Sequence, residues 1–348
     1  MKIKENQIIE EDIIEICKEI PGKHFQNKTI LISGASGFLA SYLVKYFLYL
    51  NTLNYNQKTK VIGLVRNIEK AKDRFKAYLE DPMFELFNHD VNKKLDIKDS
   101  INFIIHAASQ ASPKYYKDDP VGTLKPNVLG TINLLDLSLK KNLDAFLYFS
   151  SSEVYGNNNS ISIGENQYGI LDPINIRSCY SEAKRMGENI CLSYGSQFGV
   201  NVKIVRPFHI YGPGMSLDDG RVYADFTKNL LDEADLIINS DGKAIRSFCY
   251  LKDATIGFLK VMLNGEKGHP YNIGNPNESY SIKELADILS KDSSGSSPNV
   301  IINQPQSKSY IKSSVSIHAP NIDRVERIGW SPKTDIRTGF QRTVKSYN

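Results

Sequence analysis

The sequence predicts an α/β fold, a doubly wound parallel sheet with a smaller C-terminal substrate-binding domain. Three observations predict it. Short apolar runs alternate with amphipathic stretches through roughly the first two-thirds of the chain, the order that lays helices on both faces of parallel strands. A glycine-rich loop joins the first apolar run to the first helical stretch. Beyond Arg206 the alternation gives way to Gly/Pro-rich turns such as Tyr211-Gly212-Pro213-Gly214.

Residues 1–27 read as an N-terminal extension. Ile8, Ile9, Ile13, Ile14 and Ile16 recur at roughly helical spacing, which predicts a short amphipathic helix. Glu5, Glu10, Glu11, Asp12, Glu15 and Glu19 are incompatible with a signal peptide. Residues 28–205 read as the dinucleotide-binding domain. Strands are expected over 29–33, 60–65, 103–106, 145–150 and 202–205, with helices over 38–50, 69–79 and 130–141. Residues 206–348 read as the substrate-binding region, interleaved with the first domain because it must fold over the ligand cleft. Helices are expected near 223–232, 254–263 and 282–289, the last started by Ser281 as N-cap. Residues 291–298 have the composition of a flexible loop.

The 348 residues are 41% hydrophobic and carry a formal net charge of +4, enough apolar material for a full core and too little charge for a nucleic-acid or anionic-membrane partner. No apolar run is long enough to span a bilayer. Cys17, Cys179, Cys191 and Cys249 lack metal spacing and fit thiols in a reducing, cytoplasmic setting; the six histidines form no ligand cluster, so no metal is expected.

Gly34-Ala35-Ser36-Gly37-Phe38-Leu39-Ala40 lies between the first strand and the first helix. Glycines there permit a tight turn and let backbone N–H groups approach a pyrophosphate at the helix N-terminus. The second strand ends in Arg66, where an acid would hold the adenosine ribose of NAD. An arginine there suits the 2′-phosphate of NADP, or stacks on adenine above NAD. NAD or NADP, tightly bound, is the expected cofactor.

Ser150-Ser151-Ser152-Glu153-Val154-Tyr155-Gly156 follows an expected strand end, where sheets of this kind place their ligands. Further on comes Tyr180-Ser181-Glu182-Ala183-Lys184. Residues four apart share a helix face, so Tyr180 and Lys184 can address one substrate. A tyrosine of ordinary pKa, ~10, is a poor base at neutral pH. A neighbouring ammonium and an oxidised nicotinamide lower it.

These residues resemble the extended short-chain dehydrogenases/reductases, over nearly all the chain after about residue 28, and within them most resemble the UDP-glucuronate decarboxylases. The likeness rests on residues 84–91, 106–113 and 123–127, on Ser152-Glu153-Val154-Tyr155-Gly156, on Arg177-Ser178-Cys179-Tyr180 with Lys184-Arg185, and on Asp219-Gly220-Arg221-Val222. The resemblance implies a cofactor site of Gly34, Ser36, Gly37, Phe38 and Leu39 at the pyrophosphate, Asp90 and Val91 at the adenine, and Ala107, Ala108, Ser109 and Asn127 along the cleft. It implies Ser151 on the sugar 4-hydroxyl, Tyr180 as base, Lys184 on the nicotinamide ribose, and Ser152 and Glu153 facing the sugar. Arg246 would hold the diphosphate or act near the sugar, and Arg221 close the nucleotide pocket; Tyr115, its neighbour Tyr116 and His209 are further candidates for substrate contact. The chain departs from the family pattern at His209, usually Asn, and at Gly214, often Arg, which leaves nucleotide and sugar identity open.

The implied chemistry oxidises the sugar at C4, decarboxylates a glucuronate through the resulting ketone, and returns the hydride. A sugar-nucleotide 4,6-dehydratase, a 4-epimerase and a catalytically silent NAD(P)-binding regulator are the alternatives. A homodimer is expected by resemblance.

Overall fold

Every residue of Thr29–Ser33 (β1) is buried, so this strand needs a neighbour on each edge and cover on each face. The computed structural model, which describes residues 5–53, 58–158, 160–292, 298–303 and 317–348, supplies both. Around β1 the first half of the chain runs α1 (Gln7–Glu19), α2 (Phe38–Leu50), β2 (Lys60–Val65), α3 (Ile68–Arg74), β3 (Phe84–Asn88), β4 (Phe103–His106), α4 (Lys114–Asp118), α5 (Pro120–Ser138), β5 (Ala145–Phe149), α6 (Ser178–Phe198) and β6 (Val202–Pro207). The second half runs β7 (Ile210–Tyr211), α7 (Val222–Leu231), β8 (Leu236–Ile238), β9 (Ile245–Ser247), β10 (Cys249–Tyr250), α8 (Leu251–Asn264), β11 (Pro270–Ile273), β12 (Ser279–Ser281), α9 (Ile282–Asp292), β13 (Val300–Ile302), β14 (Ile317–His318), α10 (Asp323–Glu326) and α11 (Ile336–Lys345).

Seven strands form one sheet in the order β11-β6-β5-β4-β1-β2-β3, and all six pairings are parallel. Chain order reverses between β1 and β4, and a crevice at such a reversal, over the carboxyl ends of the strands, is where ligands enter these sheets. Short strands of the second half make β12-β9-β14, β10-β7 and β13-β8. β11 returns to the central sheet, and position 205/206 falls inside β6. No helix among the described residues is long and apolar enough to cross a membrane.

The short strands of the second half, with α4, α10 and α11, are not among the expected elements, and three further elements differ for physical reasons. α3 stops at Arg74. The edge strand β3, half-exposed along its length, lacks the apolar run that marks a buried strand. α5 starts well before residue 130: Pro120 occupies its first turn and the Asp119 carboxylate accepts from Gly122 N–H at 3.0 Å. Gly122, Pro126 and Gly130 are poor helix formers and hide this first half in the sequence; packing along α6 supplies what propensity lacks.

α9 is entered through a capping box, with Glu284 N–H donating to Ser281 Oγ at 3.1 Å and Ser281 N–H to the Glu284 carboxylate at 2.8 Å. Most of the loop expected at 291–298 lies outside the described residues. α1 packs on α2 and α8, burying Ile8, Ile9, Ile13 and Ile16. Asp12, on the same face, is fully buried. It accepts from Tyr250 Oη at 2.8 Å, Tyr42 Oη at 3.1 Å and Arg342 at 2.8 Å. Burial pushes its carboxyl above the usual range, against those hydrogen bonds.

A second buried ion pair joins α6 to the sheet. Arg206, fully buried on β6, meets the Glu188 carboxylate at 2.8 and 2.6 Å. Ser150 Oγ donates to the same carboxylate at 2.5 Å, and Arg206 also reaches Tyr155 Oη at 2.9 Å, which donates onward to Asn272 at 2.5 Å. Removing one partner of such a pair strands the other charge. Arg206→Met is therefore expected to cost about 3–5 kcal/mol, read as a lowered urea midpoint, and adding Glu188→Leu to recover part of it. An unchanged midpoint in the single variant would show that the pair holds nothing together.

Candidate active site

β1 ends at Ser33 and the chain turns at once through Gly34, whose φ is +65°. A Cβ at Gly34 would sit 2.7 Å from the Ala108 Cα, so the loop lies directly against the segment after β4. Gly37 is the N-cap of α2 and no side chain caps it. The first N–H groups of a helix have no partner within it, and here they open onto the crevice between β1 and β4. Loop and helix end together fit a pyrophosphate.

One histidine ties this region together. His106 is buried; its Nδ1 lies 2.7 Å from Ser33 Oγ and its Nε2 3.1 Å from the Pro126 carbonyl. Burial and the nearby Lys184 push the imidazole down to about 3, so it is neutral, donating from Nε2 and accepting at Nδ1. Ser33 Oγ accepts in turn from Ala108 N–H at 3.3 Å. Asn127 is fully buried and donates to Ser109 Oγ at 3.1 Å and the Thr123 carbonyl at 2.8 Å; its Oδ1 has no protein partner among the described residues. Val91 packs under Gly130, where a Cβ would come within 2.9 Å, and Asp90 accepts from Asn92 N–H at 3.0 Å. Arg66 is exposed one residue past β2.

The catalytic candidates gather at the end of β5. Ser151 Oγ accepts from Glu153 N–H at 3.2 Å, shaping the 3₁₀ turn Ser152–Tyr155. Tyr180 stands in the first turn of α6 with Lys184 one turn later. Lys184 donates to the Phe149 carbonyl at 2.5 Å, and its ammonium lies 5.7 Å from the centre of the Tyr180 ring. Burial holds Lys184 down to about 7, with Glu188 opposing. Burial pushes the Tyr180 phenol up to about 12, against a hydrogen bond with Ser151 and the charge of Arg221. The Glu153 carboxylate accepts from Ser181 Oγ at 3.5 Å. Ser151, Ser152, Tyr180 and Lys184 are all buried.

The substrate candidates divide. Tyr115 is 37% exposed, with the Lys114 ammonium 5.2 Å from its ring centre. Its neighbour Tyr116 is the one that stacks on Tyr180, rings 5.0 Å apart and 14° from parallel. Alternate residues on a loop are hard to assign from sequence, and here the short helix α4 turns Tyr116 inward. Arg221 donates to the Ala111 carbonyl and Tyr223 Oη, both at 2.6 Å, and pairs with Asp219 at 3.0 Å, bracing α7 against the segment before α4. Arg246 is buried on β9 and donates to the Ile245 carbonyl at 2.7 Å. His209 feels the charge of both cations and meets His318 at 3.3 Å. Sequence reasoning did not select His318; it lies in no motif, and only the fold carries it to Ser152.

A parallel sheet with a glycine turn after β1 that fits a pyrophosphate, and a Ser–Tyr–Lys cluster at the end of β5, two strands away, fit a nicotinamide-dependent enzyme of the short-chain dehydrogenase/reductase type. Residues 30–274 match the NAD dependent epimerase/dehydratase family, and the chain belongs to that family. It is 37% identical over 324 residues to UDP-glucuronic acid decarboxylase 6 of Arabidopsis thaliana, covering 91% of this chain and 88% of that protein. It is 33% identical to UDP-glucuronic acid decarboxylase 1 of Xenopus tropicalis, covering 91% of this chain and 71% of that protein. Its fold matches a Bacillus cereus UDP-glucuronic acid 4-epimerase solved with UDP-glucuronic acid and NAD, at a TM-score of 0.76 and 22% identity, covering 91% of this chain and 98% of that one.

The glycine turn yields a direct test. Gly34→Ala combines a left-handed φ with a clash against backbone. NAD affinity measured by calorimetry is expected to fall at least about tenfold as the loop shifts; unchanged affinity would mean the turn is not the cradle.

Proposed function

We propose that the protein decarboxylates UDP-glucuronate to UDP-xylose, or to the 4-keto pentose, through transient oxidation at C4. The observation that carries this reading is the Ser151–Tyr180–Lys184 cluster with Ser152 and Glu153 on the adjoining turn. The decarboxylase relatives add weight. The cofactor cradle is Gly34, Ser36, Gly37, Phe38 and Leu39, with Asp90 and Val91 toward the adenine, Ala107, Ala108, Ser109 and Asn127 along the cleft, and Lys184 at the nicotinamide ribose. A nicotinamide held there would supply the hydride acceptor for C4 and, for a UDP-xylose product, the hydride returned to it.

Tyr180 takes the 4-hydroxyl proton. Even with the Ser151 hydrogen bond and the charge of Arg221, burial leaves its phenol at about 12, so the base needs further positive charge beside it, which an oxidised nicotinamide would supply. Ser151, hydrogen-bonded to Tyr180, is placed to share the same hydroxyl. Once C4 is a ketone, the C6 carboxylate stands β to it. Breaking the C5–C6 bond releases carbon dioxide and sends the electron pair into the carbonyl; a proton then enters at C5. The protein contributes position and electrostatics.

A sugar-nucleotide 4,6-dehydratase makes the same ketone and then eliminates water across C5 and C6. His209, where family members usually have Asn, changes the substrate pocket and leaves room for this second reading. A silent NAD(P) sensor would have no use for the buried Ser151, Tyr180 and Lys184 together. We also infer a homodimer through α5 and α6, supported by Val121, Leu129, Met186 and Phe198, all more than two-fifths exposed on those helices.

Incubation with UDP-glucuronate and, separately, with UDP-, dTDP-, CDP- and GDP-hexoses, followed by mass spectrometry, tests the reading. The glucuronate is expected to lose carbon dioxide, and Tyr180→Phe to slow that loss by ~10²–10⁴ while still binding cofactor. Loss of water from a neutral hexose, with the glucuronate untouched, would install the dehydratase instead.

Arg66 bears on the cofactor form. If it pairs with a 2′-phosphate, calorimetry will show NADP bound more tightly than NAD and Arg66→Ala will narrow the gap. Equal affinities, or a preference for NAD, would leave Arg66 a stacking or solvated residue.

A further inference from the structure

Two histidines from distant parts of the chain meet beside the catalytic turn. His318, on β14, is 4% exposed, and its Nε2 lies 3.2 Å from the Ser152 carbonyl. Its Nδ1 lies 3.3 Å from Nε2 of His209. The rings cross at 80° with centroids 5.4 Å apart, and Phe208 covers His318 at 5.0 Å. His209 occupies a left-handed backbone conformation, φ +36°, one that side chains with a Cβ rarely adopt and that marks functional positions when packing enforces it. The charged groups around the pair are Arg246 and Arg221 for His209, and Arg246 and Glu153 for His318.

We propose that His318 and His209 form a tautomer-locked relay that braces the Ser152 peptide and presents His209 Nδ1 as a bare acceptor selecting a hydroxyl of the sugar. The geometry dictates the order of protons. A carbonyl only accepts, so His318 Nε2 carries the hydrogen aimed at Ser152. A neutral His318 then has an unprotonated Nδ1, which accepts from His209 Nε2–H. A neutral His209 is left with a lone pair on Nδ1. Burial and the facing arginine keep both rings uncharged: His318 is pushed down to about 4 with Glu153 opposing, and His209 well below its ordinary value. A lone pair fixed in this way welcomes a ring hydroxyl and repels a carboxylate, so the relay reads a hydroxyl of the ring and keeps the C6 carboxylate of a glucuronate turned away from His209. His318 is a positioning residue; His209 is the specificity-determining one. That His209 faces the sugar rests on the decarboxylase reading and on the substrate roles that the family resemblance implies for Arg221, Arg246 and His209.

Histidine ring nitrogens are read directly by NMR of the full-length protein labelled with ¹⁵N-histidine and assigned through His209→Phe and His318→Phe. In the ligand-free protein, both Nε2 atoms are expected to be protonated and both Nδ1 atoms bare. A protonated His209 Nδ1, or a cationic pair, would overturn the relay whatever the enzyme's substrate proves to be. The nucleotide sugar that the mass assay shows to be turned over is then added, with UDP, dTDP, CDP or GDP to match as the sugar-free control. The His209 Nδ1 signal is expected to move with the sugar nucleotide and not with the nucleoside diphosphate alone; equal movement, or none, would place no hydroxyl there. In kinetics, His209→Phe should raise KM about tenfold with kcat changed far less, and His318→Gln, which keeps a donor and an acceptor, should restore most of what His318→Phe loses. Unaltered KM in His209→Phe would remove it from sugar selection. Because the tautomers are read without turnover, failure of the relay and failure of the decarboxylase reading give different results.

Discussion

The active site depends on a charge pair that never touches substrate. Glu188 lies one helical turn beyond Lys184, and Arg206 rises from β6 to meet it in a fully buried, two-point contact. Desolvated charges tolerate little displacement, because any gap exposes each to the full cost of burial. The pair therefore fixes both the height and the rotation of α6 against the strand ends. Ser150, bonded to the same carboxylate, ties the serine turn to the same anchor. Tyr180 and Lys184 face Ser151 because helix and turn share one carboxylate.

On the cofactor side the organising group is neutral. His106 links β1, β4 and α5 through Ser33 and the Pro126 carbonyl. Its low basicity keeps one fixed tautomer, so the glycine turn, the Ala107–Ala108 segment and Asn127 on α5 are held in register by neutral hydrogen bonds. The two devices differ in kind: a strong ion pair beneath the Ser–Tyr–Lys cluster, and an uncharged hydrogen-bond relay beneath the glycine turn.

Much of this was legible in the sequence. The buried strands β1, β2 and β4 are unbroken apolar runs bounded by turn residues, and α2 announces itself by the glycine loop before it. Tyr180 and Lys184 share a helix face because they lie four apart, whereas Ser151 is singled out by its place after a strand end and by the family resemblance. What stayed hidden depends on tertiary partners. The first half of α5 is built from poor helix formers stabilised by α6. Asp12 reads as one of many surface acids until Tyr42, Tyr250 and Arg342 close around it. Choosing Tyr116 over Tyr115 requires knowing which way α4 turns. His318 carries no local signal, because its role exists only where β14 passes the catalytic turn.

The clamp on Asp12 bears on the order of events during synthesis. Its hydrogen bond to Arg342 spans 330 residues of chain. A ribosome making this protein from its N-terminus exposes α1 long before the arginine that neutralises Asp12 has been polymerised. Until then the isoleucine face of α1 can settle on α2, but its carboxylate must stay hydrated or wait protonated. Final seating of the first helix thus waits for a residue made 330 positions later than its partner.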